Sequence, residues 1–427
     1  MGIGTFVNQS VRPASAASKT RARLAPGDLV LMATIIALCV FGLLMLFSAS
    51  ADFSYLNYDS YTYIFNKQLL WMLLGSVTAF VLSRLDYHLW QKLAVPMMGL
   101  TLALLVAVLL TGDERLGAIR AFFGGSVQPS ELAKLVTIIY LSVWLYSKRE
   151  YLHNLQLALI PLAVILGIVG GLIYRQPDLS AAITIFLLGG LLFFLAGGDL
   201  KQIVLLSVVA LAAGWIVVNI SVTGRDRLGY YLAGLKDPLQ SSDHVLWSLE
   251  AIYKGEFSGV GIGQAETKFI GLPFAATDSI FAVVVEELGF LGALFLASLY
   301  AVFVWRGLKI ASRAPDLLGS VLAGGLTFWI AIEALINMAV MVGLLPFAGN
   351  ALPFVSAGGS NLISSLAAIG ILLGISRQSE QKAPATVAEA VHPEERRSYG
   401  ASVDLRRRDR RRGLSRARRP ASHSRER

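Results

Sequence analysis

The chain is poor in cysteine and in charge. Its 427 residues hold one cysteine, Cys39, so no intrachain disulfide can form. Five histidines, His88, His153, His244, His392 and His423, stand singly, without the spacing of a metal-ligand set, which argues against a zinc site. Charged residues make up only 15% of the sequence, hydrophobic residues make up 55%, and the mean hydropathy is +0.62. That balance excludes an ordinary soluble domain. An internal repeat is also missing, which weighs against transporters built from inverted halves.

What is present is a series of ten apolar runs, at 29–48, 63–82, 93–110, 132–146, 155–174, 179–196, 203–220, 280–305, 317–345 and 362–375. A spanning helix needs about 20 apolar residues. The fourth and tenth runs are short and are expected to extend into their polar flanks. The first is too long, and too far from the N-terminus, for a cleaved signal peptide. The expected fold is an all-α integral membrane protein of ten transmembrane helices. Residues 28–376 form the bundle, between a disordered N-terminal segment (1–27) and a disordered Arg-rich tail (377–427).

Charge sets the orientation. Residues 405–427 hold eleven arginines against Asp409 and Glu426, which accounts for the whole net charge of +9. Beside a helical bundle such a tail reads as a cytoplasmic, lipid-attracted anchor rather than a nucleic-acid arm. Arg12, Lys19, Arg21 and Arg23 precede the first run. Arg84, Lys92, Lys148, Arg149, Lys201, Arg306, Lys309 and Arg313 occupy alternate links. With both termini cytoplasmic, all of these fall inside, and the long link 221–279 falls outside. Residues 245–252 of that link have helical apolar spacing suited to a membrane surface. The run Gly259-Val260-Gly261-Ile262-Gly263 reads as a flexible turn, since no strand precedes it. Between the last two runs, Leu345-Pro346-Phe347 and Leu352-Pro353-Phe354 break any helix. They make either a tight external hairpin or a re-entrant lining of a groove.

Candidate chemistry gathers at the outer face. Asp278 immediately precedes the eighth run, where an aspartate reads first as an N-cap. A capping position would also hold a carboxylate fixed at the outer mouth of the bundle. Glu286, Glu287 and Glu333 lie within spans, where an ionisable group costs at least roughly 2.5 kcal/mol and needs a cavity or a partner. Glu131 and Lys134 open the fourth helix after Pro129 and Ser130, on one face by their i,i+3 spacing. In a groove, Lys134 would offer its charge to an anion while Glu131 held it. Arg120, Arg225 and Arg227 are further external cations, suited to phosphate or simply solvated. Asp178 reads as the cap of the sixth helix.

Four motifs in order carry a resemblance. They are Gln128-Pro129-Ser130-Glu131-Leu132-Ala133-Lys134; Gln176-Pro177-Asp178-Leu179; Ala276-Thr277-Asp278-Ser279-Ile280-Phe281 with Glu286-Glu287-Leu288-Gly289; and Leu352-Pro353-Phe354 with Gly358-Gly359-Ser360. Over residues 28–377 the chain resembles the SEDS family (shape, elongation, division and sporulation proteins), closer to its division branch. The resemblance implies a peptidoglycan glycosyltransferase in the bacterial cytoplasmic membrane, polymerising lipid II at the outer face. It implies Asp278 as catalytic residue, and Glu131 and Lys134 as functionally sensitive. Arg120, Arg225, Arg227, Glu333 and Ser360 are further substrate-binding candidates on their own chemistry and placement. The implied partners are a class B penicillin-binding transpeptidase and other divisome or elongasome membrane proteins. No cofactor is required, and a divalent cation is compatible with the mechanism. The competing readings are a lipid II flippase and a non-catalytic scaffold that recruits the transpeptidase. The chain departs from the family pattern at Asp243-His244-Val245-Leu246-Trp247, at Ala357 and Asn361, and at Glu333. These positions bear on acceptor positioning and partner activation.

Overall fold

The structure is a computed structural model that describes residues 28–115, 118–121 and 128–382. Thirteen α-helices follow one another among them: α1 (Leu29–Tyr58), α2 (Tyr63–Arg84), α3 (Leu89–Thr111), α4 (Pro129–Ser147), α5 (Ile160–Tyr174), α6 (Leu179–Leu195), α7 (Leu200–Ile220), α8 (Val222–Gly234), α9 (Asp243–Gly255), α10 (Thr267–Ile270), α11 (Ile280–Arg313), α12 (Leu317–Met341) and α13 (Gly359–Lys382). A small antiparallel hairpin of β1 (Asp113–Arg115) and β2 (Ala118–Ala121) lies between α3 and α4. Nine of the ten apolar runs lie almost wholly on helices, because only helices satisfy every backbone group within one apolar segment; the ninth, expected over 317–345, is helical only to Met341. Eight helical segments are long and apolar enough to cross a membrane: α1, α2, α3, 155–174, α7, α11, α12 and α13. The remaining two runs form α4, with Glu131 and Lys134 in its first turns, and the shorter α6.

Burial sorts the helices. The apolar windows of α12 and α13 are 72% and 78% buried, against 6% for α7, so the first two form the centre and α7 lies at the periphery. Small residues let backbones approach. At Gly370 of α13 a Cβ would stand 2.5 Å from the carbonyl oxygen of Ala79 in α2, so only glycine permits this crossing. The last helix runs to Lys382, past the expected boundary at 376. Arg377 there donates to the Arg84 carbonyl at 3.0 Å, which fastens the added turn to the end of α2. The rest of the expected tail and the segment 1–27 lie outside the described residues.

One end of the bundle collects charged pairs. Asp28 caps α1 and takes a forked salt bridge from Arg306. His88 lies between Asp86 at 2.7 Å and Asp316 at 2.9 Å, and Asp316 also caps α12. Arg84, Arg306 and Arg313 therefore share an end, as the alternating basic links required.

Helix α11 is broken at Gly289, whose φ of +67° is left-handed backbone. The break frees carbonyls of Glu286 and Glu287 and amides of Phe290 and Leu291. Val260 and Gly261 donate to those carbonyls at 2.9 and 3.0 Å. The carbonyls of Glu256 and Phe257 accept from those amides at 3.1 and 3.3 Å. The glycine run at 259–263 is thus a backbone splint rather than a flexible turn. A Cβ on Gly259 would lie 2.2 Å from the Glu287 carbonyl oxygen. An apolar environment forbids orphan amides, and this segment supplies what the break removes.

The segment 342–358, expected as either an external hairpin or a re-entrant lining, packs into the protein. Leu352, Phe354 and Val355 are almost wholly buried. Tyr300 of α11 donates to the Pro353 carbonyl, and Gly42 of α1 meets the Phe354 carbonyl oxygen. The proline-broken chain enters the bundle and is paid for by protein contacts. Helix α9, expected at a membrane surface, instead buries Val245, Ser248 and Ala251, and at Gly255 it presses on the Val285 carbonyl of α11.

Candidate functional site

At the end opposite the charged pairs, the four motifs meet. Asp178 accepts from the Ala181 amide at 3.2 Å and caps α6, as expected. Its other carboxylate oxygen accepts from Gln128 Nε2 at 3.1 Å and Ser130 Oγ at 3.2 Å. The Gln128 amide in turn donates to Ser360 Oγ at 2.9 Å. The starts of α4 and α6 are therefore tied side chain to side chain, and the Gln128 backbone amide ties α4 to the start of α13.

Beneath them lies a buried ionic cluster. Lys134 Nζ is 2.9 Å from Glu131 and in shorter contact with Glu333, with its side chain 1% exposed. Trp329 Nε1 donates to Glu333 at 2.8 Å, and Asn361 Nδ2 donates to Glu131 at 3.0 Å. Lys134 is thus enclosed between two carboxyl groups. It is not the open cation that the sequence suggested for an anion. Its charge holds α4 against α12, and Glu333, the in-span carboxyl that needed a cavity or a partner, is its second partner.

Asp278 does not cap α11. The cap residue is Ser279, and its hydroxyl donates to the Pro273 carbonyl at 2.8 Å instead of bonding to the helix. Asp278 lies one residue earlier, on a turn, half-buried. Its neighbours are fixed by backbone bonds. Asn337 Nδ2 donates to the Asp278 carbonyl at 2.8 Å and to the Asn350 carbonyl at 2.5 Å. Asn350 Nδ2 donates to the Glu333 carbonyl at 3.0 Å. Ser356 Oγ donates to the Thr277 carbonyl at 2.6 Å, and the Ala357 amide to the Ala276 carbonyl at 2.8 Å. The turn is therefore bonded to both α12 and the segment 350–357. A Cβ on Gly349 would stand 3.5 Å from Asp278 Oδ2, so a bare backbone flanks the carboxylate. Asn337 was missed in the sequence, although it follows Trp329 and Glu333 at i,i+4 steps in an apolar run, the pattern of one buried polar face.

The cations are unevenly placed. Arg225 is exposed on α8, and Arg227 is half-buried with its guanidinium 5.5 Å from the Phe347 ring centroid. Arg120 is on β2, and its side chain lies outside the described residues. Arg227 lines two clefts. One, of about 320 Å³, is walled by Asp226, Tyr230, Tyr231, Val245 and Phe347. The other, of about 230 Å³, is walled by Tyr174, Arg175, Leu179, Ser221 and Thr223.

His244 connects this wall to the aspartate turn. Its ring stacks on Phe347 at 3.9 Å and lies parallel to Phe274 at 5.7 Å. Its Nδ1 is 3.4 Å from Ser279 Oγ. Since that hydroxyl donates to Pro273, Nδ1 carries the proton and Oγ accepts. Burial in the stack pushes the imidazole down to about 4, opposed by Asp243 and aided by Arg227. The folded value thus lies below the unfolded one of 6.5. The contribution to stability is then complete above pH 6.5 and is lost as pH falls towards 4. Thermal unfolding of the purified protein across that window is expected to show this loss. His244→Phe, which keeps the stack, is expected to remove that component. An unchanged pH profile in the variant would refute the assignment.

The family model described as cell cycle protein, covering FtsW, RodA and SpoVE, matches residues 29–381. A probable peptidoglycan glycosyltransferase FtsW of Trichlorobacter lovleyi is 38% identical over 358 residues, covering 83% of this chain and 94% of that protein. Stage V sporulation protein E of Bacillus subtilis is 36% identical over 358 residues, covering 82% and 97%. A chain solved in work on structural coordination of polymerization and crosslinking by a peptidoglycan synthase complex superimposes with a TM-score of 0.68 at 28% identity, over 83% of this chain and 99% of that one. The crystal structure of the rod shape determining protein RodA of Thermus thermophilus gives 0.62 at 25% identity, over 83% and 98%.

Proposed function

The chain belongs to the FtsW/RodA/SpoVE family of cell cycle proteins, and from that membership and the geometry of its site we propose how it works as a peptidoglycan glycosyltransferase. It is a multi-pass membrane protein. In our reading all ten apolar helices span the cytoplasmic membrane of a bacterium, the end bearing Arg84, Arg306 and Arg313 faces the cytoplasm, and the end bearing Asp278 faces outward. The substrate is lipid II, and the product is a glycan strand.

The observation that carries this reading is a half-buried carboxylate on a turn bonded to α12 and to the segment 350–357, at the opposite end from the basic cluster. An inverting sugar transfer needs one base and no enzyme nucleophile. Asp278 would accept the proton of the acceptor sugar's 4-hydroxyl as that oxygen attacks the anomeric carbon, and the lipid diphosphate would leave from the opposite face. Developing charge on the diphosphate calls for fixed cations. With Lys134 enclosed, Arg227 takes that part, since it lines both clefts, with Arg225 and Arg120 as outer cations. Lys134, Glu131, Glu333 and Ser360 shape the floor instead of touching phosphate. The neighbouring structure of a peptidoglycan synthase complex supports a class B penicillin-binding transpeptidase as partner.

The test is reconstitution of the full chain with its transpeptidase in liposomes containing labelled lipid II. Glycan polymer on the outer side is the expected result. Transbilayer movement of label without polymer would establish a flippase instead, and neither polymer nor movement would leave the scaffold reading.

A further inference from the structure

Glu286 and Glu287 are both fully buried, yet neither reaches the Lys134 cluster. Glu286 Oε1 accepts from the amides of Glu266 at 2.9 Å and Thr267 at 3.2 Å, and its Oε2 accepts from the Thr267 hydroxyl. Glu287 Oε1 accepts from Lys268 Nζ at 2.9 Å and from Ser48 Oγ of α1 at 2.6 Å. Lys268, with its side chain 4% exposed, also donates to the Ser48 carbonyl at 3.0 Å. Residues 266–268 are therefore fastened to residues 286–287 and to α1. Between these two feet the chain runs out and back, and Asp278 stands midway.

The ring has little slack. The Leu272 amide donates to the Thr267 carbonyl at 2.9 Å, and the Thr277 amide to the Phe274 carbonyl at 2.9 Å. Gly271 sits against Trp247 of α9, where a Cβ would come within 2.4 Å of the indole. Bonds to a charged group are short and directional, so they fix position as well as contact. Apolar side chains could fill the same volume with equal or better stability. Burying an ammonium, two carboxyls and two hydroxyls at the feet of one turn supplies geometry that apolar packing does not.

We propose that Lys268, Glu286 and Glu287 are positioning residues for Asp278: they close residues 266–287 into a ring anchored on α1 that holds the carboxylate at its working distance from the acceptor hydroxyl. The inference rests on Asp278 being the base. A displacement of about 1 Å in a reacting group can cost about 100-fold in rate, and that sets the expected scale.

The test uses the full chain with its transpeptidase and lipid II. Lys268→Met is expected to lower kcat about 10- to 100-fold, with KM within about two-fold of the original. Lys268→Arg is expected to recover most of the turnover. The double variant Lys268→Met with Glu287→Leu is expected to regain the melting temperature but not kcat. Should Lys268→Met alone fail to fold, the double variant carries the test. A double variant that regains both stability and kcat would show the pair to be packing only and would overturn the inference. Asp278→Asn, run in parallel, separates the two ideas. Wild-type turnover in that variant removes the base itself, whereas an inactive Asp278→Asn beside a fully active double variant removes only the ring.

Discussion

Asp278→Asn is expected to reduce glycan polymerisation by about 10²- to 10⁴-fold in kcat, the usual span for loss of a positioned general base. Asparagine keeps the size of the side chain, and the bonds that fix the turn run through backbone atoms. Asn337 holds the residue 278 carbonyl and Ser356 holds the Thr277 carbonyl, and neither contact depends on the side-chain charge. The variant should therefore fold and bind lipid II with a similar KM. Proton acceptance is lost, because a neutral amide cannot take the proton of the attacking hydroxyl. The measurement is polymer length and initial rate from labelled lipid II with the partner transpeptidase present. A turnover within a few-fold of wild type would rule out Asp278 as the base.

The largest stability effect is expected at Lys134. The cluster holds one ammonium against the carboxyls of Glu131 and Glu333, all buried. Lys134→Met leaves two carboxyl groups facing each other with, among the described residues, only Asn361 and Trp329 as side-chain donors. Removing one partner from a buried ionic group costs about 3–5 kcal/mol, since the remaining charge is neither hydrated nor paired. Glu333→Gln leaves Lys134 with Glu131, a balanced pair, and is expected to cost clearly less. Thermal unfolding of both variants in detergent gives the order directly. Equal stability of Lys134→Met and wild type, or a larger loss in Glu333→Gln, would contradict this account of the charges. On the proposed reading Lys134→Met would also lower activity without any loss of substrate contact, because Lys134 joins α4 to α12 and the α12 residue Asn337 holds the aspartate turn.

Much of this was legible in the sequence, and the reason differs by feature. The apolar runs form helices because length and hydropathy act within one segment, where every backbone group must be satisfied locally, and only the ninth ends early, at Met341. Asp178 was readable as a cap because capping is decided within three residues. The same local rule failed at Asp278, where the Ser279 hydroxyl turns to Pro273 and the cap position shifts by one. The glycine run at 259–263 was read as flexible because nothing in it discloses that Gly289 breaks a helix elsewhere and leaves amides and carbonyls to satisfy.

The chain order of residues determined the helices, most of their starts, the segregation of basic residues to one end and the placement of a carboxylate at the other. Periodicity, capping and charge bias are properties of neighbours in sequence, so they can be read without coordinates. Packing alone decided that Lys134 pairs with Glu333, 199 positions away, that Asn337 bridges Asp278 and Asn350, and that Lys268 meets Glu287 and Ser48. A buried polar group must find a partner wherever the fold brings one, and the partner's position in the chain is set by how helices cross, which no local pattern encodes.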